Sequence, residues 1–140
     1  MRFMMIVIPK DYATAPPDVM PPADAVAALM KDTESLQKAG VLLALDGLHP
    51  PSAGVRVSFA DGKPTVKDGP FAESKEAVGG YWMIQVKSKE EAVEWAKRCP
   101  MMNGETIEIR QVQEMSDFPP DVQEAAAGFA DLKAKAEGKL

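Results

Sequence analysis

The chain has 140 residues, 46% of them hydrophobic, with one cysteine, one histidine and a net charge of −5. That is enough for one domain with a real core, or a domain with a tail. A lone cysteine excludes an intrachain disulfide and a two-cysteine metal motif, one histidine argues against a protein-only zinc site, and the acidic balance argues against direct binding of nucleic acid or of anionic membranes.

Arg2–Ile8 is a short apolar run stopped by Pro9, and it reads as a buried strand. It is too short for a signal h-region, and no run approaches the ~20 apolar residues of a membrane span. The cytoplasm is therefore the expected location. Asp11–Pro22 carries Pro16, Pro17, Pro21 and Pro22, which forbid a regular ladder or helix.

Ala23–Ala39 has helical spacing, with Val26, Leu29, Met30, Thr33 and Leu36 on one face. Asp24 suits the first turn and Gly40 the residue after the stop. Val41–Leu45 is a second strand and Asp46–Gly54 a loop. Val55, Val57 and Phe59 alternate with Arg56 and Ser58, which predicts a strand with one wet face. Asp61-Gly62 is a hairpin turn, and Lys63–Lys67 returns with Pro64 at an edge or bulge.

Val66–Trp82, VKDGPFAESKEAVGGYW, is the densest run of constrained backbone positions. Asp68-Gly69-Pro70 is turn chemistry, Phe71 follows a rigid turn, and Gly79-Gly80 permits close backbone approach. Gly80–Lys87 is a strand whose Tyr81 and Trp82 face opposite sides. Ser88-Lys89-Glu90-Glu91 is a capping box, with Glu91 expected to reach back to the Ser88 amide. The helix it opens runs to about Arg98. Thr106–Val112 alternates cleanly as the last strand. The tail from Pro119 reads as one helix from about Asp121.

The order is βαβ, an inserted hairpin, then βαβ and a C-terminal helix. It predicts an α+β, ferredoxin-like βαββαβ sheet with helices on one face. A domain over residues 1–115 and a helical tail over 116–140, packed on the domain or on its dimer mate, follow from that division. The bare sheet face calls for a second copy of the same sheet, hence a homodimer.

The segments GLHPPSAGVRV, TVKDGPFAESKEAVGGYWMIQVKSKEEAVEWAKRCP and IEIRQV resemble the YCII-related family, in the branch named for its DGPF tetrapeptide. The resemblance covers about Arg2 to Val112. It implies a ferredoxin-like subunit that pairs into a dimeric α/β barrel, and a pocket between sheet and helices near the motif loop. It also implies an association with extracytoplasmic-function sigma factors. The family's motif falls on Asp68, Gly69, Pro70, Phe71, Glu73, Lys75 and Gly80. Smaller relatives are suspected of chemistry through a His on the first helix and a nearby Asp. Here no His lies on Ala23–Ala39, so that dyad is missing.

The lone His49 stands instead in the GLHPP loop. His49 with Asp68 would make an acid–base pair if the fold joined their loops; otherwise Asp68 caps its own turn and His49 is solvated. Gly69, Pro70, Phe71, Glu73, Lys75 and Tyr81 are the candidate ligand-binding residues, with Glu73 and Lys75 equally readable as a charged surface pair. Cys99, at a helix C-terminus, reads as inert. Two functions follow. One is binding or transformation of a small organic molecule without cofactor or metal, in a pocket near the DGPF loop. The other is a non-enzymatic accessory or sensor linked to a sigma factor through protein contacts. The sequence does not decide between binding and catalysis.

Overall fold

The computed structural model describes residues 1–139. Six strands and four helices follow in the order β1 (Arg2–Ile8), α1 (Ala23–Lys38), β2 (Leu42–Gly47), β3 (Val55–Ala60), β4 (Lys63–Asp68), β5 (Gly80–Gln85), α2 (Lys89–Lys97), β6 (Thr106–Gln111), α3 (Pro120–Ala125) and α4 (Phe129–Glu137). β2, β5, β1 and β6 form one antiparallel sheet in that order. Each β-α-β unit skips a strand, so the other unit's strand fills the gap. This arrangement is compatible with a ferredoxin-like fold. β3 and β4 form a separate two-stranded sheet.

Alternation sorts the residues of the sheet. Phe3 and Met5 of β1 and Trp82 and Ile84 of β5 point to the helix side and are buried. They close the core with Leu36 of α1 and Ala92 of α2, joined by Val86 and Cys99. Met4, Ile6, Ile8 and Met83 point to the other face and are only half-buried. Ala77 and Val78, in the loop before β5, line a shallow hollow on that face with Ile6, Ile8, Glu108 and Arg110.

Several local expectations needed correction. The α2 box forms at Ser88, whose Oγ accepts the Glu91 N–H at 3.1 Å, but the Glu91 carboxylate accepts from the Lys87 amide at 2.8 Å rather than from Ser88. β2 runs two residues past Leu45 and carries a register irregularity between Leu42 and Ala44. β3 was expected to have one wet face; all six of its residues are exposed, because the hairpin stands off the body. The tail is two short helices rather than one. Gly128, with φ of 91°, breaks the helical path between them.

Strand β1 is tied to the segment after β6 by a bidentate ion pair. Arg2 Nε and Nη2 donate to Glu114 Oε1 and Oε2 at 2.7 and 3.0 Å. The pair raises Arg2 and lowers Glu114, and the charges of Glu137 and Lys133 add to these shifts, so the last turns of α4 lie near the start of β1. A depressed folded-state carboxyl stabilises above its unfolded value and ceases to do so as pH falls through the folded one. The urea midpoint of the wild type is therefore expected to fall more between pH 6 and pH 3 than that of Arg2→Gln. Parallel pH profiles would show that the pair contributes nothing.

Candidate functional site

The DGPF stretch is built as a clasp. Gly69 N–H donates to Gly54 O at 2.9 Å, closing the hairpin's base, and the Gly69–Pro70 bond is cis. A β-carbon on Gly69 would lie 1.7 Å from the Pro51 carbonyl oxygen, so no side chain fits there. Phe71 is buried at 6% exposure, with the Arg56 guanidinium 3.8 Å from its ring centre. Arg56 also donates to Glu73 Oε1 at 3.1 Å and Ser74 Oγ at 2.8 Å. Lys67 lies 3.7 Å from the same Glu73 carboxylate. A backbone hydrogen bond and then the nearby Lys67 charge hold the Glu73 carboxyl below its ordinary value. Ion pairs this exposed are worth little individually, but here a stacked, forked arginine joins three partners.

The loops bearing His49 and Asp68 do meet, through Gly69 against Pro51. Asp68 ends β4, both residues are exposed, and the two side chains share no hydrogen bond. Lys75 is exposed on the motif loop. Tyr81 is elsewhere, on β5.

The cavity with the clearest apolar lining lies between the first half of α1 and the β2–β5 edge of the sheet, with a volume of about 230 Å³. Val26, Leu29, Met30 and Thr33 of α1 form one wall, and Val7, Leu45 and Trp82 the other. Gly47, Gly79 and Gly80 meet at its end. Close packing forces two of them to be small: a β-carbon on Gly80 would sit 2.8 Å from Asp46 O, and one on Gly79 would sit 2.5 Å from the Pro9 ring. Three residues without side chains at one place leave space the helix cannot fill.

The polar groups at the cavity are few. Trp82 Nε1 donates to Thr33 Oγ1 at 3.0 Å, and that hydroxyl donates to Leu29 O at 2.8 Å. On the opposite face of the sheet, to which Ile6 also points, Tyr81 OH donates to Asp46 Oδ2 at 3.2 Å; this hydrogen bond, with desolvation and the Asp46 charge, pushes the phenol above its usual value. Tyr12 OH donates to Leu48 O, and Ser52 Oγ donates to Ala15 O at 2.7 Å, so the proline-rich loop is fastened beside this rim.

Of the candidates read from sequence, Tyr81 borders the cavity on β5 but turns its side chain to the opposite face, and Asp68, Gly69, Pro70, Phe71, Glu73, Lys75 and His49 do not line it. Thr33 and the α1 stripe were read only as the apolar face of a helix, because helical periodicity assigns such residues to a filled core. The available signal was the glycine pair Gly79-Gly80 together with Gly47. Cys99 is buried; desolvation and the neighbouring Asp32 push its thiol up to about 12, which removes thiolate chemistry at neutral pH. Among the described residues no group of three or more His, Cys, Asp or Glu is placed to hold a metal ion. No described helix is long and apolar enough to cross a membrane.

Residues 1–116 match the YCII-related domain. An uncharacterized protein of Rhizobium meliloti (strain 1021) is 33% identical over 82 residues, 56% of this chain and 66% of that relative's own length.

Proposed function

The chain belongs to the YCII-related domain family, and from that premise we propose that it binds a small, largely apolar molecule in the α1–sheet cavity, as a homodimer joined through the bare face of its sheet. The observation that carries this reading is the cavity itself. A volume of about 230 Å³ exceeds the roughly 150 Å³ that suffices for a benzene-sized guest. Its walls are almost wholly aliphatic and aromatic, with a few polar groups, which is the composition of small-molecule sites. The Thr33 hydroxyl and the Trp82 indole N–H are the polar side-chain groups on its walls, and they are bonded to each other at 3.0 Å.

The test uses the indole of Trp82, which lines the cavity. Titration with cyclohexanol and cyclohexanone, read by tryptophan fluorescence, is expected to saturate in the wild type. Gly47 follows the alternation of β2 toward the helix side, and a β-carbon there meets nothing closer than Gly79 O at 3.9 Å. Gly47→Leu is therefore expected to keep the fold, fill the space and weaken binding at least tenfold. Equal titrations of both proteins would sink the reading.

A further inference from the structure

The two polar side chains on the walls of the α1–sheet cavity are buried, and their hydrogen bonding is one-sided. Trp82 is 5% exposed and Thr33 7%. An indole nitrogen only donates, whereas a hydroxyl donates once and accepts twice. Trp82 Nε1 gives its proton to Thr33 Oγ1 at 3.0 Å, and Thr33 gives its own to Leu29 O at 2.8 Å. Both donors are therefore spent within the protein. One acceptor site remains, the second lone pair of the Thr33 hydroxyl.

The backbone of α1 and β5 beside it is spent as well. Val26 N–H donates to Pro22 O at 3.1 Å, and Leu29, Met30 and Thr33 lie deeper in the same helix, where each amide donates to the preceding turn. β5 is paired along both edges, by β2 and by β1. At the glycine end, Gly79 N–H donates to Val7 O at 2.8 Å and Gly79 O accepts from Leu48 N–H at 2.9 Å. The lining residues include one charged side chain, Asp46, and its carboxylate is held by Tyr81 on the opposite face of the sheet.

We infer that this cavity selects neutral hydroxyl compounds, alcohols or phenols with a compact apolar body, and that the Thr33 hydroxyl selects them as an acceptor; the inference rests on the small-molecule reading above. An alcohol donates to Thr33 Oγ1 and rests its ring against the aliphatic walls. A ketone of the same size gives up the water on its carbonyl and meets no donor, and an unpaired polar group is what such a site rejects most strongly. A protonated amine can donate, but its charge would be buried without a partner.

Fluorescence titration of the wild type, Thr33→Val and Thr33→Ser with cyclohexanol and with cyclohexanone tests this. The wild type is expected to bind cyclohexanol roughly tenfold more tightly, the size of one net hydrogen bond. Thr33→Val replaces the hydroxyl by a methyl group, frees the Trp82 N–H as a donor and leaves no side-chain acceptor, so the order is expected to reverse. Thr33→Ser keeps the hydroxyl and is expected to keep the wild-type order, which preserves the test should Thr33→Val not fold. Wild-type affinities within twofold of each other, an alcohol preference that survives in folded Thr33→Val, or its loss in Thr33→Ser overturns selection by Thr33 and leaves the cavity reading standing. A wild type that neither probe saturates overturns both.

Discussion

Replacing Gly69 by alanine is expected to destabilise the fold by about 3 kcal/mol, the upper range for forcing volume into a filled site. The reason is local and rigid. The new β-carbon would stand 1.7 Å from the carbonyl oxygen of Pro51 and 2.7 Å from its carbon, both backbone atoms of a proline turn. No flexible side chain can yield, so the hairpin base or the Pro51–Ala53 turn must move. Either movement strains the Gly69–Gly54 hydrogen bond and lifts Phe71 from beneath Arg56. Gly47→Ala is the control, since its β-carbon finds ordinary contact at 3.9 Å. Urea denaturation of the two variants should separate them clearly. A Gly69→Ala midpoint as close to wild type as that of Gly47→Ala would refute the clasp as the motif's physical role.

The second large effect is expected at Trp82. Its ring is 5% exposed and joins both sheet neighbours to α1. Trp82→Ala removes that packing and the indole donor to Thr33, and should cost about 3–5 kcal/mol. Trp82→Phe keeps most of the apolar volume and loses chiefly the hydrogen bond, a difference on the order of 1 kcal/mol. The Thr33 hydroxyl still has Leu29 O as acceptor, so its own donor is not orphaned. Equilibrium unfolding measures both variants. Losses of equal size would show that the Thr33 bond rather than the packing anchors this residue.

Most of the architecture was legible because it rests on local chemistry. The apolar run of Arg2–Ile8, the aromatic and branched residues of Gly80–Gln85, the alternation of Thr106–Gln111, the 3.6-residue stripe of Ala23–Lys38, the Ser88 box and the Asp61-Gly62 turn each identify their own element. Boundaries drifted where a neighbour decides: β2 continues to Gly47 because Tyr81 and Gly80 are there to pair with Asp46 and Gly47. The tail failed as one helix because Gly128 weakens an Ala-rich run that little tertiary packing supports.

The site was less legible. The DGPF loop drew attention by its constrained residues, and that constraint is physical. In the folded chain it seats Phe71 under Arg56 and excludes a side chain at Gly69, which is bracing. The cavity lies at the other end of the same stretch, by Gly79-Gly80. A cavity is a mismatch between surfaces contributed by segments distant in sequence, here α1, β2 and β5, and no segment encodes it alone.

By itself the sequence determined the elements from Arg2 to Gln111, their order and the family, because these depend on spacing and on residues a few positions apart. Only the tertiary structure decided that β3 and β4 leave the sheet as a separate arm, and that Arg56, seventeen residues before Glu73, closes on it. It also decided that the one aromatic of the DGPF motif is covered while Phe59 is bare. Those outcomes depend on which surfaces meet after the chain has folded back, and burial is a property of that meeting rather than of any residue.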